Sequence, residues 1–155
     1  MRVTRNAKEI FPEYVLQDWH DNGFDLLKLF SAGDLGERLG IDIMRAEPGR
    51  VTGRMPVEGN TQPYGLLHGG ATAALAETVG SVAAMLHAGP GRGAVGVDLN
   101  ITHHRSARDG YVTAVATAAR EGRSIASYEI VVSDENDKRI ATARLTCSII
   151  QPEDD

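Results

Sequence analysis

Cysteine and aromatic residues are scarce in this chain. Its 155 residues include one cysteine, Cys147, and aromatic residues make up only 5% of the sequence. A single cysteine excludes a disulfide scaffold and a cysteine-based metal cluster. With so few aromatic rings, the core has to be built from aliphatic and small side chains, and the length suits one domain.

Positive charge is scarce as well. Lysine and arginine total 16 against 21 acidic residues, a net charge of −5 without a basic block, which argues against nucleic acid as the main partner. The N-terminus lacks the apolar segment of a signal peptide, and no apolar run is expected to reach the roughly 20 residues that span a bilayer. The sequence therefore predicts a cytoplasmic protein, small enough to need a partner subunit.

The predicted elements follow the order β-β-α-β-β-β-β after an N-terminal helical extension. The extension covers residues 1–35, the main domain residues 36–150 and an acidic tail residues 151–155. In the extension, Pro12 is expected at a helix start, and Trp19 or Phe24 either packs on the main body or lines the mouth of a ligand pocket. Hairpin-length links between the strands predict an α+β fold, with an antiparallel sheet against one long helix.

The central helix is predicted to begin near Gly69 and to end near His87. Apolar side chains at helical spacing predict one buried stripe, formed by Leu75, Val79, Val82 and Leu86. Most of the remaining residues are alanine or glycine, so the helix is expected to be enclosed by the sheet. The strand that follows is expected to alternate regularly, with one face made of Val95, Val97, Leu99, Ile101 and His103.

Three motifs lie in the wrong structural context for their usual function. The glycine pattern of residues 91–96 matches a dinucleotide-binding fingerprint, but it follows a helix and leads into a strand. Ser81 does not lie in a G-x-S-x-G motif. His103 and His104 are neighbours on a strand, where side chains point to opposite faces, so they are not expected to chelate one ion. The sequence therefore predicts neither a metal nor a cofactor.

Glu77 lies in the middle of the alanine-rich helix, and no lysine or arginine occurs from Ala71 to His87. One interpretation is a surface glutamate. The other, which the small neighbours favour, is a partly buried carboxylate that serves as a nucleophile or general base. Ser81, four residues further on, lies on the same helix face.

The start of this helix offers hydrogen-bond donors to an oxygen that develops negative charge, as acyl transfer requires. Gly69 lets a substrate carbonyl approach the main chain closely. His68 is either a capping residue or a hydrogen-bonding partner in the site, and Gln62 either orients a carbonyl or is an exposed loop residue. Since Glu77 lies about 12 Å along the helix from Gly69, the two are expected to act together across a two-fold axis.

Several segments together resemble the hotdog-fold acyl-CoA thioesterases. They are residues 62–70, 74–81, 96–110, 122–124 and 143–146, within a likeness that covers roughly residues 36–150. The likeness is greatest to the branch that contains the Arthrobacter-type 4-hydroxybenzoyl-CoA thioesterase, the phenylacetate-pathway thioesterase and the enterobactin proofreading thioesterase. It implies an antiparallel sheet wrapped around a long central helix, in a homodimer with sites at the interface that pairs into a homotetramer.

The resemblance also implies a role for each matching residue. It makes Glu77 the catalytic carboxylate and Gly69 the oxyanion-hole residue, and it gives Ser81, on the opposite subunit with Glu77, a part in positioning water or the substrate. It implies that Gln62 and His68 orient the thioester. Contacts to coenzyme A are implied for eight residues: Gly96, His103, His104, Arg105, Ser106, Gly122, Arg123 and Ser124. Coenzyme A is then part of the substrate rather than a cofactor.

The sequence leaves the reaction and the acyl group open. Hydrolysis of an aryl-CoA or of a short- or medium-chain acyl-CoA is the leading hypothesis. A hotdog hydratase or dehydratase and a non-catalytic acyl-CoA-binding protein are the alternatives. Four arginines, expected to cluster at strand ends, are candidates for holding the nucleotide phosphates: Arg105, Arg108, Arg120 and Arg123.

Overall fold

The computed structural model describes residues 6–31 and 33–151, with the side chain of Ala7 left out. Within these residues, four short helices precede the sheet: α1 (Ala7–Ile10), α2 (Glu13–Asp21), α3 (Leu26–Leu29) and α4 (Gly33–Leu39). Pro12 is the residue before α2, as predicted. The predicted boundary between residues 35 and 36 falls inside α4, and the division into domains stays a prediction. Apart from Gln151, the predicted acidic tail lies outside the described residues.

Six antiparallel strands form one sheet, in the order β1-β2-β4-β5-β6-β3. Their bounds are β1 (Asp42–Glu47), β2 (Arg50–Pro56), β3 (Gly93–His103), β4 (Tyr111–Glu121), β5 (Ile125–Ser133) and β6 (Arg139–Ile150). Between β2 and β3 the chain forms α5 (Gly69–Ala88). The predicted order of elements and the α+β fold are therefore confirmed.

The sheet wraps around α5, which contacts all six strands. Small residues make the close packing possible on both sides. A Cβ atom added at Gly53 of β2 would lie 2.7 Å from a methyl group of Val79, and one added at Gly80 of α5 would lie 2.6 Å from a methyl group of Leu145. The predicted stripe is buried except at Val82, which is half-buried. The prediction of an enclosed helix is confirmed.

The predicted alternation of β3 is wrong in its first half. The register of β3 against β6 shifts between Gly96 and Asp98, a β-bulge that places Val97 outside the regular pairing. Gly96 therefore joins Leu99 on the face towards α5, while Val95 is 48% and Val97 63% exposed. The bulge depends on pairing with β6, which the local pattern of side chains does not encode.

The expectation about membrane-spanning length is also wrong. By length and composition alone, α5 is long and apolar enough to cross a membrane. However, ten of the 20 residues of α5 are buried inside the protein. We therefore assign α5 as the core helix of the domain.

Candidate active site

A cleft of about 410 Å³ opens at the N-terminal end of α5. It brings together residues that the sequence analysis selected from three separate segments. Gln62 comes from the loop before the helix, Gly69 is the first helical residue, and residues 103–106 follow along the end of β3. Leu66, Leu67, Thr72, Ala107 and Ile140 complete the lining. The cleft thus has an apolar wall beside polar groups that converge on the helix start.

The main-chain N–H of Gly69 is the free donor in the first turn of α5. The N–H of Gly70 donates to Nδ1 of His68 at 2.8 Å, and the N–H groups of Ala71 and Thr72 donate to the His68 carbonyl at 3.0 and 3.2 Å. Within the described part of the chain, the Gly69 N–H has no such partner. It therefore remains available to an oxygen in the cleft, where the positive end of the helix dipole stabilises negative charge.

The side chains of His68 and Gln62 each use one polar atom in a local hydrogen bond and have a second polar atom that can donate to a ligand. His68 precedes α5 and accepts a hydrogen bond at Nδ1, so the proton of its neutral ring lies on Nε2. Gln62 accepts a hydrogen bond from the Tyr64 N–H at Oε1, so its amide NH₂ is the end left to donate. His68 therefore has the capping role that the sequence analysis considered, and its Nε2–H can also donate a hydrogen bond.

Asn60 is a buried residue that the sequence analysis missed. Its side-chain NH₂ donates to the main-chain carbonyls of Leu39 at 2.6 Å and Pro56 at 2.8 Å, and its main-chain carbonyl accepts from the N–H of His68 at 2.9 Å. Asn60 thereby ties the ends of α4 and β2 to the start of α5. Its sequence context, a polar loop, gives no sign of this burial.

The rings of His103 and His104 lie on different sides of β3. Nε2 of His103 would be 2.9 Å from a Cβ atom added at Gly69, so only glycine fits there without moving this ring. Nε2 of His104 lies 2.9 Å from the hydroxyl of Thr142. Among the described residues, no group of three His, Cys, Asp or Glu side chains is placed to hold a metal ion.

Glu77 lies on α5 away from the cleft and faces β3. A Cβ atom added at Gly96 would be 2.7 Å from Oε1 of Glu77, so Gly96 accommodates the carboxylate. The expected partial burial of Glu77 is wrong for the single chain, because Gly96 has no side chain to cover the carboxylate and Glu77 is exposed. Ser81 follows one turn later and is half-buried.

Cys147 pairs with Gly96 across β3 and β6, on the buried side of the sheet. Its burial raises the pKa of the thiol, and the negative charge of Glu77 raises this pKa further.

Gly122, Arg123 and Ser124 lie at the opposite end of α5. The carbonyl of Gly122 is 2.7 Å from Nε2 of His87, which is 18 residues or about 27 Å along the helix from Gly69. The expected single cluster of arginines is therefore wrong for one chain. Arg105 lines the cleft at the helix start, whereas Arg120 and Arg123 flank the turn near its end.

A cavity of about 600 Å³ lies elsewhere, among the N-terminal helices. Phe24 is part of its lining, while Trp19 is buried and packs edge-on against Phe24. None of the predicted site residues lines this cavity. Another cavity, of about 380 Å³, has His68 in its lining but neither Gln62 nor Gly69, so His68 borders a different cavity from the cleft. The cleft collects Gln62, Gly69 and residues 103–106, and it is therefore the candidate active site.

Comparison with known proteins assigns the chain and its fold to a family. The family described as the thioesterase superfamily matches residues 64–141. The proofreading thioesterase EntH of Klebsiella pneumoniae is 44% identical over 125 residues, which cover 80% of this chain and 91% of EntH. A thioesterase structure from Haemophilus influenzae has a TM-score of 0.77 at 38% identity, covering 84% of this chain and 91% of its own.

A Pseudomonas aeruginosa thioesterase, solved as a variant with a glutamine replaced by alanine, has a TM-score of 0.72 at 34% identity and covers 86% and 94% of the two chains. The chain belongs to the thioesterase superfamily and has the hotdog fold, as its sequence resemblance implied. It is accordingly a thioesterase, a hydrolase of thioesters.

Proposed function

We propose that the protein hydrolyses an acyl-CoA thioester to the free acid and coenzyme A. The observation that carries this proposal is the unpartnered N–H of Gly69, which opens into a cleft shared with Gln62 and His103. A thioester carbonyl placed there receives a hydrogen bond from the helix start, and the amide NH₂ of Gln62 and the Nε2–H of His68 orient it. This bond strengthens as the oxygen gains charge.

The carboxylate of Glu77 drives the reaction in this proposal. It either attacks the carbonyl carbon to form an anhydride that water then opens, or removes a proton from a water molecule that attacks the same carbon. In both routes a carbon–oxygen bond forms, the carbon–sulfur bond breaks, and the thiolate of coenzyme A leaves and takes up a proton. Ser81, on the same face, positions the water or the acyl group. No cofactor takes part.

Each site is formed by two protomers of a homodimer. Glu77 is about 12 Å along α5 from Gly69, too far to act on a carbonyl held there by the same chain. β3 is an edge strand of 11 residues with exposed valines, a surface suited to pairing with a second copy. Antiparallel pairing of two β3 strands places the α5 helices side by side in opposite directions, so that Glu77 of one approaches Gly69 of the other.

The same arrangement joins the two halves of the coenzyme A site. Gly96 and residues 103–106 lie on β3 or directly after it, whereas residues 122–124 lie at the far end of α5. Reversing the partner helix brings its turn 122–124 towards the cleft of the first protomer. The resemblance supports a cytoplasmic homotetramer built from two such dimers, and aryl or short- to medium-chain acyl groups as substrates.

The proposal is tested by release of thiol from a panel of aryl-CoA and aliphatic acyl-CoA esters, with Glu77→Gln and Glu77→Ala as variants. We expect both variants to lower kcat roughly 100-fold or more. Glu129→Gln, an exposed glutamate on β5, is the matched control and should retain wild-type turnover. Undiminished turnover by the Glu77 variants would remove Glu77 from the mechanism. Binding of the esters without thiol release would instead indicate a non-catalytic acyl-CoA-binding protein, and hydration of crotonyl-CoA would indicate a hydratase.

A further inference from the structure

The turn between β4 and β5 is held to the body of the protein at three consecutive carbonyl groups. The Gly122 carbonyl lies 2.7 Å from Nε2 of His87, and because a carbonyl only accepts, this nitrogen carries the proton. The Arg123 carbonyl accepts from the guanidinium of Arg92 at 3.0 Å. The Ser124 carbonyl accepts from the N–H of Ile149 at 2.8 Å.

The donors of the same turn are left free. Among the residues that the structure describes, the N–H groups of Arg123 and Ser124 have no hydrogen-bond partner. Both residues are exposed. The N–H of Gly122 closes the turn onto the Ile125 carbonyl, and a Cβ atom at Gly122 would lie 2.7 Å from that oxygen. The turn therefore presents two main-chain donors and one arginine to a ligand.

His87 is itself held from the core. Its Nδ1 lies 3.8 Å from one carboxylate oxygen of Glu121, a distance at which the two groups attract each other as an ion pair when the ring is protonated, and the other oxygen of Glu121 accepts a hydrogen bond from the buried Tyr128 hydroxyl at 3.0 Å. This chain of contacts runs from the core of the sheet to the Gly122 carbonyl. It limits the movement of the ring and so the movement of the turn.

The charges around the turn suit a phosphate group. Arg120, Arg123 and Arg92 surround it, and Glu121 is occupied by Tyr128 and His87. Main-chain N–H groups together with guanidinium groups bind phosphate oxygens well. Of the parts of an acyl-CoA ester, the nucleotide end is the one that carries phosphates.

We infer that His87 and Arg92 are positioning residues that hold the turn 122–124 in the conformation that binds the nucleotide end of the substrate. The inference rests on the proposed function for the identity of the substrate. Neither residue contacts the thioester, since both act through main-chain carbonyls of the turn. Their effect is therefore confined to binding of the nucleotide.

The test compares two substrates that differ only in the nucleotide: an acyl-CoA ester and the same acyl group on pantetheine. We expect His87→Ala and Arg92→Ala each to raise KM for the CoA ester about tenfold and to leave kcat within about twofold. KM for the pantetheine ester should not change. His87→Gln should restore most of the loss, because its amide can donate to the Gly122 carbonyl, and His20→Ala, an exposed histidine on α2, should behave as wild type.

Two outcomes would overturn the inference. Equal losses on the two substrates would mean that His87 and Arg92 serve only folding, and an unchanged KM for the CoA ester would mean that the turn needs no anchor. If the wild type hydrolyses neither ester, the proposed function fails, and calorimetry with adenosine 3′,5′-bisphosphate still decides the inference. Weaker binding by His87→Ala than by wild type supports it, whereas equal binding, or no binding by either, contradicts it.

Discussion

At the scale of single residues, the space beside Glu77 depends on Gly96. Only a hydrogen atom at this position leaves room for the carboxylate, since a Cβ atom would lie 2.7 Å from Oε1. The same strand contains Gly93, where a Cβ atom would meet the flexible side chain of Ile150 at 3.2 Å. The two glycines therefore form a matched pair of substitution sites on one strand.

Gly96→Ala should lower kcat about tenfold or more, because the carboxylate has to move by about 1 Å from its working position. Gly93→Ala should leave kcat close to that of wild type. Steady-state thiol release measures both, and circular dichroism shows whether the variants are folded. Equal activity of Gly96→Ala and wild type would show that the position of Glu77 in the single chain is not the one used in catalysis.

Cys147 and Tyr128 make folding stability sensitive to alkaline pH. In the folded state, burial raises the pKa of Cys147 above its ordinary value of 9.0 and the pKa of Tyr128 above its ordinary value of 10.0. The negative charge of Glu77 raises the pKa of Cys147 further, and the negative charge of Glu121 does the same for Tyr128. The folded protein thus holds these protons more tightly than the unfolded chain. The resulting stability is fully present below about pH 9 and is lost as pH rises towards the folded-state pKa values.

We therefore expect the free energy of unfolding to fall above about pH 9, and to fall less steeply in Cys147→Ala and Tyr128→Phe. Cys147→Ala should remove the earlier part of the decline and Tyr128→Phe the later part. Urea unfolding over about pH 8 to 11 measures these slopes. If the double variant loses stability as steeply as wild type, other groups account for the alkaline sensitivity.

The site residues that could be identified from the sequence are those whose neighbours in the site are also close to them in the chain. Gln62, His68 and Gly69 lie within eight positions of one another, and the structure brings Gln62 and Gly69 into one cleft, while His68 caps the helix start and borders a neighbouring cavity. Asn60 could not be predicted in the same way, because its partners, Leu39 and Pro56, belong to elements whose meeting is decided by tertiary packing.

At the scale of elements, α5 combines low side-chain volume with close packing against the sheet at Gly80, whereas Glu77 on another face of the helix is exposed. Glycine inside a helix normally costs about 1 kcal/mol relative to alanine, so Gly80→Ala would stabilise an exposed helix. In this protein the added methyl group would lie 2.6 Å from Leu145, which is fully buried on β6 and has little room to move. Packing should therefore reverse the sign of the substitution.

Gly80→Ala is expected to lower the free energy of unfolding by about 1–3 kcal/mol. Leu145→Ala alone should lower it by about 2–5 kcal/mol. In the double variant the new methyl group occupies part of the vacated space, so the loss should be smaller than the sum of the two single losses. Urea unfolding measures all four proteins, and strictly additive losses would contradict the close contact.

The pattern of apolar residues predicted the bounds of α5 within a few positions, and the number and order of the strands, because both depend on local periodicity. It failed on the first half of β3, where alternation placed Val95 and Val97 with Leu99. The bulge after Gly96 arises from the register against β6, which is more than 40 residues away in the sequence. At a bulge, the face of the sheet on which each side chain lies thus depends on the pairing with the neighbouring strand.

At the scale of the whole molecule, the candidate functional residues divide between the two ends of α5. Gln62, Gly69 and residues 103–106 lie at its start, whereas Glu77 lies two turns further on and the turn 122–124 near its end. The sequence predicted the separation of about 12 Å between Gly69 and Glu77 along the helix, but not the position of the turn 122–124 near its other end. The separation is what a site shared between protomers requires.

Mixed dimers test the shared site directly. In a dimer of one Glu77→Gln protomer and one Gln62→Ala protomer, one site has both defects and the other site has none. After unfolding and refolding an equimolar mixture, half of the dimers should be mixed, and each should have one intact site out of two. Activity should therefore recover to about a quarter of the wild-type value, although each variant alone is nearly inactive.

The control is the same mixture combined without unfolding, so that the protomers have no opportunity to exchange. Its activity should stay at the level of the separate variants. If the refolded mixture also stays at that level while refolded wild type recovers fully, Gln62 and Glu77 of the same chain form each site. The 12 Å offset along α5 would then have to be closed by a movement within one protomer, although α5 packs against all six strands and half of its 20 residues are buried.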